Sequence, residues 1–86
     1  MTLRKDGKDI RIVILSYGWV LMGEYAFADG FITLTNASII RRWGTTKGLG
    51  QIALHGTTPD TILEPVGDFE APIGSVVGSI RFVYEK

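Results

Sequence analysis

The sequence predicts one small, mainly β domain, and three observations support this fold class. The chain has 86 residues, which is enough for one domain but not for two, since typical domains hold roughly 100 to 150 residues. Short runs rich in β-branched and aromatic residues alternate with turn signals such as Asp29-Gly30, which is typical of antiparallel strands. One segment, about residues 45–55, favours a helix. We therefore expect a small SH3/Sm-like barrel or a strongly bent antiparallel sheet with one short helical insertion.

The first half of the chain has the pattern of a β-meander. Its first run is almost wholly apolar, as in a buried strand. In the second run, residues 19–27, the odd-numbered residues from Trp19 to Phe27 share one face and the even-numbered ones share the other. Asp29-Gly30 is a strong hairpin signal because both central positions of a type I′ turn need positive φ. Asn36 favours a further turn. The four expected strands are residues 10–16, 19–27, 31–35 and 38–43.

The second half begins with a polar, glycine-rich stretch and continues into the helical segment. Thr45 or Thr46 is the expected N-cap of the helix, and Gly56 is expected to end it. Pro65 suits only an edge strand, because proline lacks the backbone N–H of a central ladder. The remaining expected elements are a strand at 61–66, a one-turn link at 72–75 and a last strand at 77–85.

Composition and charge exclude several classes of protein. Nine basic and nine acidic side chains give no net charge, whereas general DNA- or RNA-binding proteins carry a large basic excess. No apolar run reaches the roughly 18 residues of a membrane span, and no signal peptide is visible. Cysteine is absent and His55 is the single histidine, so we expect no metal site and no cofactor. These features predict a cytoplasmic protein, with residues 1–86 forming one domain and residues 1–9 a flexible N-terminal arm.

The neutral total conceals a segregation of charge along the sequence. Residues 1–47 hold seven basic and four acidic side chains, and residues 48–86 hold two basic and five acidic ones. Such asymmetry suits head-to-tail self-association or an anionic ligand on the basic side, although an imbalance of three also arises by chance. Because so short a chain buries only about 60–65% of its unfolded surface, we also expect a homo-oligomer.

The densest polar cluster spans residues 41–48 and has the parts of a phosphate site. It combines three basic side chains, two hydroxyls, an aromatic plane and two glycines ahead of the expected helix. If this segment is a strand, Arg41 and Arg42 point to opposite faces, so both serve one pocket only if the strand bulges or a neighbouring subunit completes the site. The alternative is a solvated arginine pair beside a core tryptophan and a loop. The candidate ligand-binding residues are Arg41, Arg42, Trp43, Gly44, Thr45, Thr46, Lys47 and Gly48.

Two known phosphate-binding patterns fail on this stretch. The P-loop pattern needs a Gly-Lys pair that does not follow Gly44. The dinucleotide pattern is formally met by Gly48, Gly50 and Ala53, but that fold needs alternating strands and helices and a longer chain. A Rossmann-type site is therefore excluded by context.

No pattern indicates an enzyme. No serine lies in a nucleophile elbow, and a lone histidine such as His55 is more often structural than a general base. The carboxylates are scattered, and their spacing selects no pair that faces across a cleft. We expect no catalytic residues.

Four aromatic residues lie in the second expected strand or just before it, and they have two interpretations. Tyr17, Trp19, Tyr25 and Phe27 are expected in the core, because a small barrel needs large side chains to fill it. Tyr17 and Trp19 flank Gly18, and either could instead line a ligand pocket. They join the candidate ligand-binding residues.

A shared pattern is carried by five segments, residues 13–17, 20–24, 29–34, 37–43 and 48–53. Together these segments resemble a family of small phage and prophage proteins of unknown function. In that family a hairpin, an Asp-Gly turn and a strand ending in tryptophan precede a Gly/Ala/Ser-rich helix. This chain departs from the pattern at Gly48, Gly50 and Arg42, which weakens the helix and makes the site more favourable to phosphate.

The resemblance implies a phage setting and supplies no catalytic residues. By analogy with small oligomeric phage proteins, the first hypothesis is a sponge that binds an anionic nucleotide-type immune messenger, either a cyclic nucleotide or an ADP-ribose derivative. The second is a protein-interaction module, either a phage-particle component or an inhibitor of a host protein. RNA binding by an Sm-like ring is a third, which the zero net charge disfavours.

Overall fold

The computed structural model describes residues 7–45 and 48–84. The first six residues of the expected N-terminal arm, together with Thr46 and Lys47, lie outside these ranges. The elements are β1 (Ile10–Leu15), β2 (Val20–Ala28), β3 (Phe31–Arg42), α1 (Leu49–His55), β4 (Ile62–Pro72), a 3₁₀ turn (Ile73–Ser75) and β5 (Val76–Arg81).

The strands form one antiparallel sheet in the order β4-β3-β2-β1-β5. The mainly β prediction with one short helix is confirmed. Of its two alternatives, the bent antiparallel sheet is correct, because β4 and β5 lie at opposite edges and the sheet does not close into a barrel. The 3₁₀ turn carries the chain from one edge to the other, which confirms the one-turn link expected at residues 72–75.

The β2–β3 hairpin turns where the sequence predicts. Asp29 and Gly30 have φ values of 54° and 80°, the positive values that a type I′ turn requires. Ala28 and Phe31 then face each other as the first pair of the ladder.

The prediction of two strands separated by a turn at Asn36 is wrong. β3 is one strand of 12 residues, and Asn36, at φ 52°, lies where the ladder with β4 shifts between Leu34 and Ala37. Asparagine tolerates the left-handed conformation, so the strand absorbs this residue as a bulge. The Asn36 N–H donates to the carboxylate of Asp68 on β4 at 3.3 Å.

Helix α1 is shorter than predicted. It begins at Leu49 with Gly48 as N-cap and no side-chain cap, so the expected cap at Thr45 is wrong, and Thr46 is outside the described ranges. The Thr45 hydroxyl instead donates to the Gly48 carbonyl at 2.9 Å. Gly56 ends the helix as predicted, and its N–H donates to the Ile52 carbonyl at 2.8 Å.

β4 extends to Pro72, beyond the predicted end at residue 66, whereas β5 ends at Arg81, before the predicted 85. Pro65 lies on an edge strand as expected, since β4 has a single neighbour, β3.

The core consists of two apolar clusters. One cluster lies where α1 packs on the sheet, with Ile52 and Ala53 against Ile12 and Ile40. The other is formed by residues of β1, β2, β3 and β4 and includes Leu21. Its buried members are Val13, Leu15, Leu21, Ile32, Leu34, Ala37 and Ala71.

Three of the four aromatic residues predicted for the core are exposed. Tyr17, Trp19 and Phe27 keep 60%, 48% and 54% of their surface accessible, and Tyr25 packs half-buried against the second cluster. Tyr17 and Trp19 precede β2, and Phe27 lies at its far end, so none of these three side chains reaches the middle of the sheet.

Candidate ligand-binding site

The structure divides the predicted site residues between two places. Trp19 and Arg41 line one cleft, and Tyr17 contacts Trp19 beside it. Trp43, Gly44, Thr45 and Gly48 belong to a separate loop between β3 and α1. Of the remaining candidates, Arg42 lies outside the cleft, and Thr46 and Lys47 lie outside the described residues.

The cleft, called the Trp19–Arg41 cleft below, lies between the start of β2 and the end of β3. These strand ends meet because Leu21 pairs with Ile39 in the antiparallel ladder. The volume of the cleft is about 200 Å³, less than the roughly 300–1,000 Å³ of a typical small-molecule site. It has room for one planar ring or one phosphate, and a larger ligand must extend over the surface around it. Its lining residues are Gly18, Trp19, Val20, Ile39, Ile40 and Arg41.

The aromatic side of the cleft is an edge-to-face pair. The ring centroids of Tyr17 and Trp19 lie 5.9 Å apart with the planes at 77°, a favoured geometry for aromatic rings. Both side chains are about half exposed. The pair therefore presents a half-exposed indole held beside a second ring.

The polar side of the cleft is an arginine held by a carboxylate. Nε of Arg41 donates to Oε1 of Glu64 at 2.5 Å, and this bond raises the pKa of Arg41 above its ordinary value. Ile39 faces Glu64 across the β3–β4 ladder, which places the carboxylate beside the cleft. No described residue accepts a hydrogen bond from the terminal guanidinium nitrogens, so these donors are available to a ligand.

Arg42 takes no part in this cleft. It is exposed, pairs with Ile62 in the ladder, and forms no ion pair within residues 7–45 and 48–84. Although the ladder shifts between Ile40 and Arg42, the cleft lining includes only the first of the two arginines. The sequence argument that one pocket does not hold both arginines agrees with this placement.

The loop after β3 uses its polar groups internally. The Thr61 hydroxyl donates to the Trp43 carbonyl at 2.7 Å, and the Thr58 hydroxyl donates to the Gly44 carbonyl at 2.6 Å. The Thr45 hydroxyl proton is committed to Gly48. Trp43 remains 44% exposed. Hydrogen bonds therefore hold the loop after β3 against the segment that precedes β4.

Glu64 is a site residue that the sequence analysis missed. The sequence shows Glu64 as the single acidic residue of the strand expected at residues 61–66. It does not show that Arg41 is its partner, because that contact depends on the register of β3 against β4. The apolar lining residues Val20, Ile39 and Ile40 were missed for the same reason.

Other polar side chains of the described residues lie at a second cleft and at the end of α1. A second cleft of about 180 Å³ lies at the β2–β3 bulge, with Lys8 and Glu24 in its lining. His55 is exposed at the end of α1. Within the described ranges, no three His, Asp or Glu side chains converge as metal ligands do.

No family model and no curated protein sequence matches the chain. The resemblance to small phage proteins stays a prediction. Across the described part of the chain, no helix has the length and apolar character needed to cross a bilayer.

Proposed function

We propose that the protein is a non-enzymatic binding protein that holds an anionic nucleotide-type ligand at the Trp19–Arg41 cleft. One observation carries this proposal: the β2–β3 pairing brings to the same small cleft an exposed indole and an arginine whose terminal nitrogens bond no described residue. A nucleotide offers the matching pair of groups, an aromatic base and a phosphate.

The two sides of the cleft would contribute by different forces. Stacking of a base on an aromatic side chain contributes roughly 1–3 kcal/mol. The terminal nitrogens of Arg41 would donate charge-assisted hydrogen bonds to phosphate oxygens, while Nε stays on Glu64 and holds the guanidinium in place. Val20 and Ile39 are apolar residues of the same lining.

The size of the cleft limits what one subunit holds. A volume of about 200 Å³ accepts one base or one phosphate, so the rest of a nucleotide would lie over Tyr17 or against another subunit. The resemblance to phage proteins suggests an immune messenger, a cyclic nucleotide or an ADP-ribose derivative, sequestered in the bacterial host cytoplasm as a counter-defence sponge.

A second candidate function, a protein-interaction module, is favoured by exposed apolar side chains at the β2–β3 hairpin tip. Phe27 and Phe31 keep 54% and 47% of their surface accessible, and Ile73 keeps 44%. The Ile73 N–H donates to the Gly30 carbonyl at 2.9 Å, which holds the 3₁₀ turn against this tip. A host or phage protein that docks here would cover all three side chains.

The test combines native mass spectrometry with calorimetry. The protein is mixed with cyclic di- and trinucleotides and ADP-ribose derivatives, and any bound compound is then titrated into four variants. Trp19→Ala and Arg41→Ala should each weaken binding by about tenfold or more. The matched controls, Trp43→Ala and Arg42→Ala, change the same residue types outside the cleft and should leave the affinity within about twofold.

Three results would contradict the proposal. These results are retention of no compound of the panel, control variants that weaken binding as much as the cleft variants, and cleft variants that leave binding unchanged. Retention of none of these compounds together with capture of a defined protein by the hairpin tip, abolished by Phe31→Ser, would favour the second candidate.

A further inference from the structure

The outer edge of β5 carries backbone groups that no described strand pairs with. β5 has one neighbour in the sheet, β1. The Phe82 N–H donates to the Ile10 carbonyl at 2.7 Å, and residues of an antiparallel strand alternate between facing the neighbour and facing away. Residues 78, 80 and 82 therefore face β1, and the N–H and C=O groups of Ser79 and Arg81 point outward.

This edge lacks most features that prevent strands from pairing. Its central residues, 76–80, have the sequence VVGSI, without charge or proline, and Val77 is 70% exposed. The register shift opposite Leu15 lies at the start of β5 and leaves residues 78–81 regular. Proteins usually protect an exposed edge with charges, prolines or strong bulges.

The opposite edge of the sheet is protected. β4 carries the acidic residues Glu64, Asp68 and Glu70, and Pro65 lies within it. Gly67, at φ 79°, lies where the β3–β4 ladder shifts. The contrast singles out β5 as the edge that is able to accept another strand.

We propose that the β5 edge pairs antiparallel with β5 of a second copy of this chain, with the twofold axis at Ser79. In this register Ser79 forms a hydrogen-bonded pair with Ser79 of the partner subunit, and Gly78 lies opposite Ile80 of the partner subunit, within the regular part of the strand. The outward N–H and C=O groups of both Ser79 residues are then satisfied.

The charges of the strand favour a second copy as the occupant. No charge lies within two residues of Ser79 except Arg81. The two Arg81 residues of the pair are four positions apart along the ladder, roughly 13 Å at 3.3 Å per residue. Nη1 of each Arg81 also lies 3.3 Å from Oδ1 of Asp9 in its own chain, and this carboxylate further reduces the repulsion between the two arginines. This inference does not rest on the proposed ligand.

The first test uses charge at the axis. Sedimentation velocity over a concentration series should show a wild-type monomer–dimer equilibrium. Ser79→Lys and Ser79→Glu each place like charges directly opposite and should raise the dimer dissociation constant by about tenfold or more. An equimolar mixture of the two variants should dimerise again. Ala26→Lys, an exposed change on the central strand β2, should leave the equilibrium unchanged.

The second test needs no variant. Amide hydrogen exchange of the wild-type protein should slow at Ser79 as the concentration rises, while Ile80, bonded to β1, is protected at every concentration. A wild-type monomer at all concentrations, a dimer that both Ser79 variants leave intact, assemblies larger than a dimer, or a Ser79 amide that exchanges equally fast throughout would each overturn the proposal. Ligand binding enters neither test, so failure here is distinct from failure of the proposed function.

Discussion

Arg41 and Glu64 join two adjacent strands through a 2.5 Å bond between Nε and Oε1. Arg41 belongs to the basic half of the sequence and Glu64 to the acidic half, so the sheet brings opposite charges together that lie apart along the chain. The side chains keep 57% and 47% of their surface accessible, and exposed pairs of this kind contribute little to stability. The pair matters because Glu64 holds the positively charged guanidinium of Arg41 at the Trp19–Arg41 cleft.

We expect Glu64→Gln to strengthen the binding of an anionic ligand at the cleft. The change removes the negative charge beside Arg41 and keeps an oxygen that accepts the Nε hydrogen bond. Affinity for a nucleotide bound by the wild type should rise by roughly threefold at low ionic strength, and salt should reduce the gain. Calorimetric titration measures the effect. Glu70→Gln, on the same strand but opposite Thr33 and not bonded to Arg41, should have no effect, and equal gains from both variants would contradict the local mechanism.

Gly44→Ala should destabilise the fold severely. A Cβ on Gly44 would lie 2.3 Å from the carbonyl carbon of Asp60, and the residue has φ 65°. The loop must therefore move, and the bond from the Thr58 hydroxyl to the Gly44 carbonyl would be lost with it. We expect a loss of about 2–4 kcal/mol in the free energy of unfolding, measured by urea denaturation.

The matched control for Gly44→Ala is Gly50→Ala. Gly50 lies in α1, and a Cβ there meets no atom within 4 Å. Alanine is the better helix former, so this variant should gain roughly 0.5–1 kcal/mol. If Gly44→Ala left the free energy of unfolding unchanged, the loop would be able to move without destabilising the fold, which would contradict the hydrogen-bonded geometry.

Asp9 should make the stability of the fold depend on acid pH. Hydrogen bonds from Arg11, at 2.9 and 3.0 Å, and the positive charges of Arg11 and Arg81 lower the pKa of Asp9 below its ordinary 3.8. Because the unfolded chain then binds this proton more readily, the carboxylate stabilises the fold above about pH 4. That stabilisation is lost as the pH falls through the folded-state pKa.

Asp9→Asn tests this linkage. At neutral pH the variant should unfold with a free energy about 1 kcal/mol lower than that of the wild type. The gap should narrow as the pH falls through the folded-state pKa of Asp9, which lies below 3.8, because protonated Asp9 has the same charge as asparagine. Urea denaturation across this pH range measures the gap. Asp60→Asn is the control, since Asp60 forms no ion pair within the described residues, and a pH-independent gap would contradict the linkage.

Local chemistry explains which features the sequence was able to predict. Asp29-Gly30 specifies its turn through backbone conformation alone, and Pro65 specifies an edge through its missing N–H. The Arg41–Glu64 pair depends on the register of β3 against β4, which shifts at three places and follows a connection that contains α1. No local signal encodes that register. The division of residues 41–48 between cleft and loop depends on it as well.

The sequence pattern does not predict the exposure of Trp19 either. Trp19 and Leu21 share one face in the alternating pattern of residues 19–27, so the pattern predicts that both are buried. Leu21 is fully buried at the centre of the sheet, whereas Trp19 precedes β2 and stays 48% exposed. Periodicity shows which face a residue occupies, but not how far along the strand the core extends.

Leu21→Ala and Trp19→Ala should therefore differ sharply in stability. Leu21→Ala removes buried methyl groups from a packed cluster and should cost about 2–5 kcal/mol in the free energy of unfolding. Trp19→Ala removes a larger side chain, but one that keeps half of its surface in water, and should cost about 1 kcal/mol or less. Urea denaturation of both variants gives the comparison. If the Trp19 variant lost as much as the Leu21 variant, the indole would belong to the core, and an exposed stacking surface at the cleft would be ruled out.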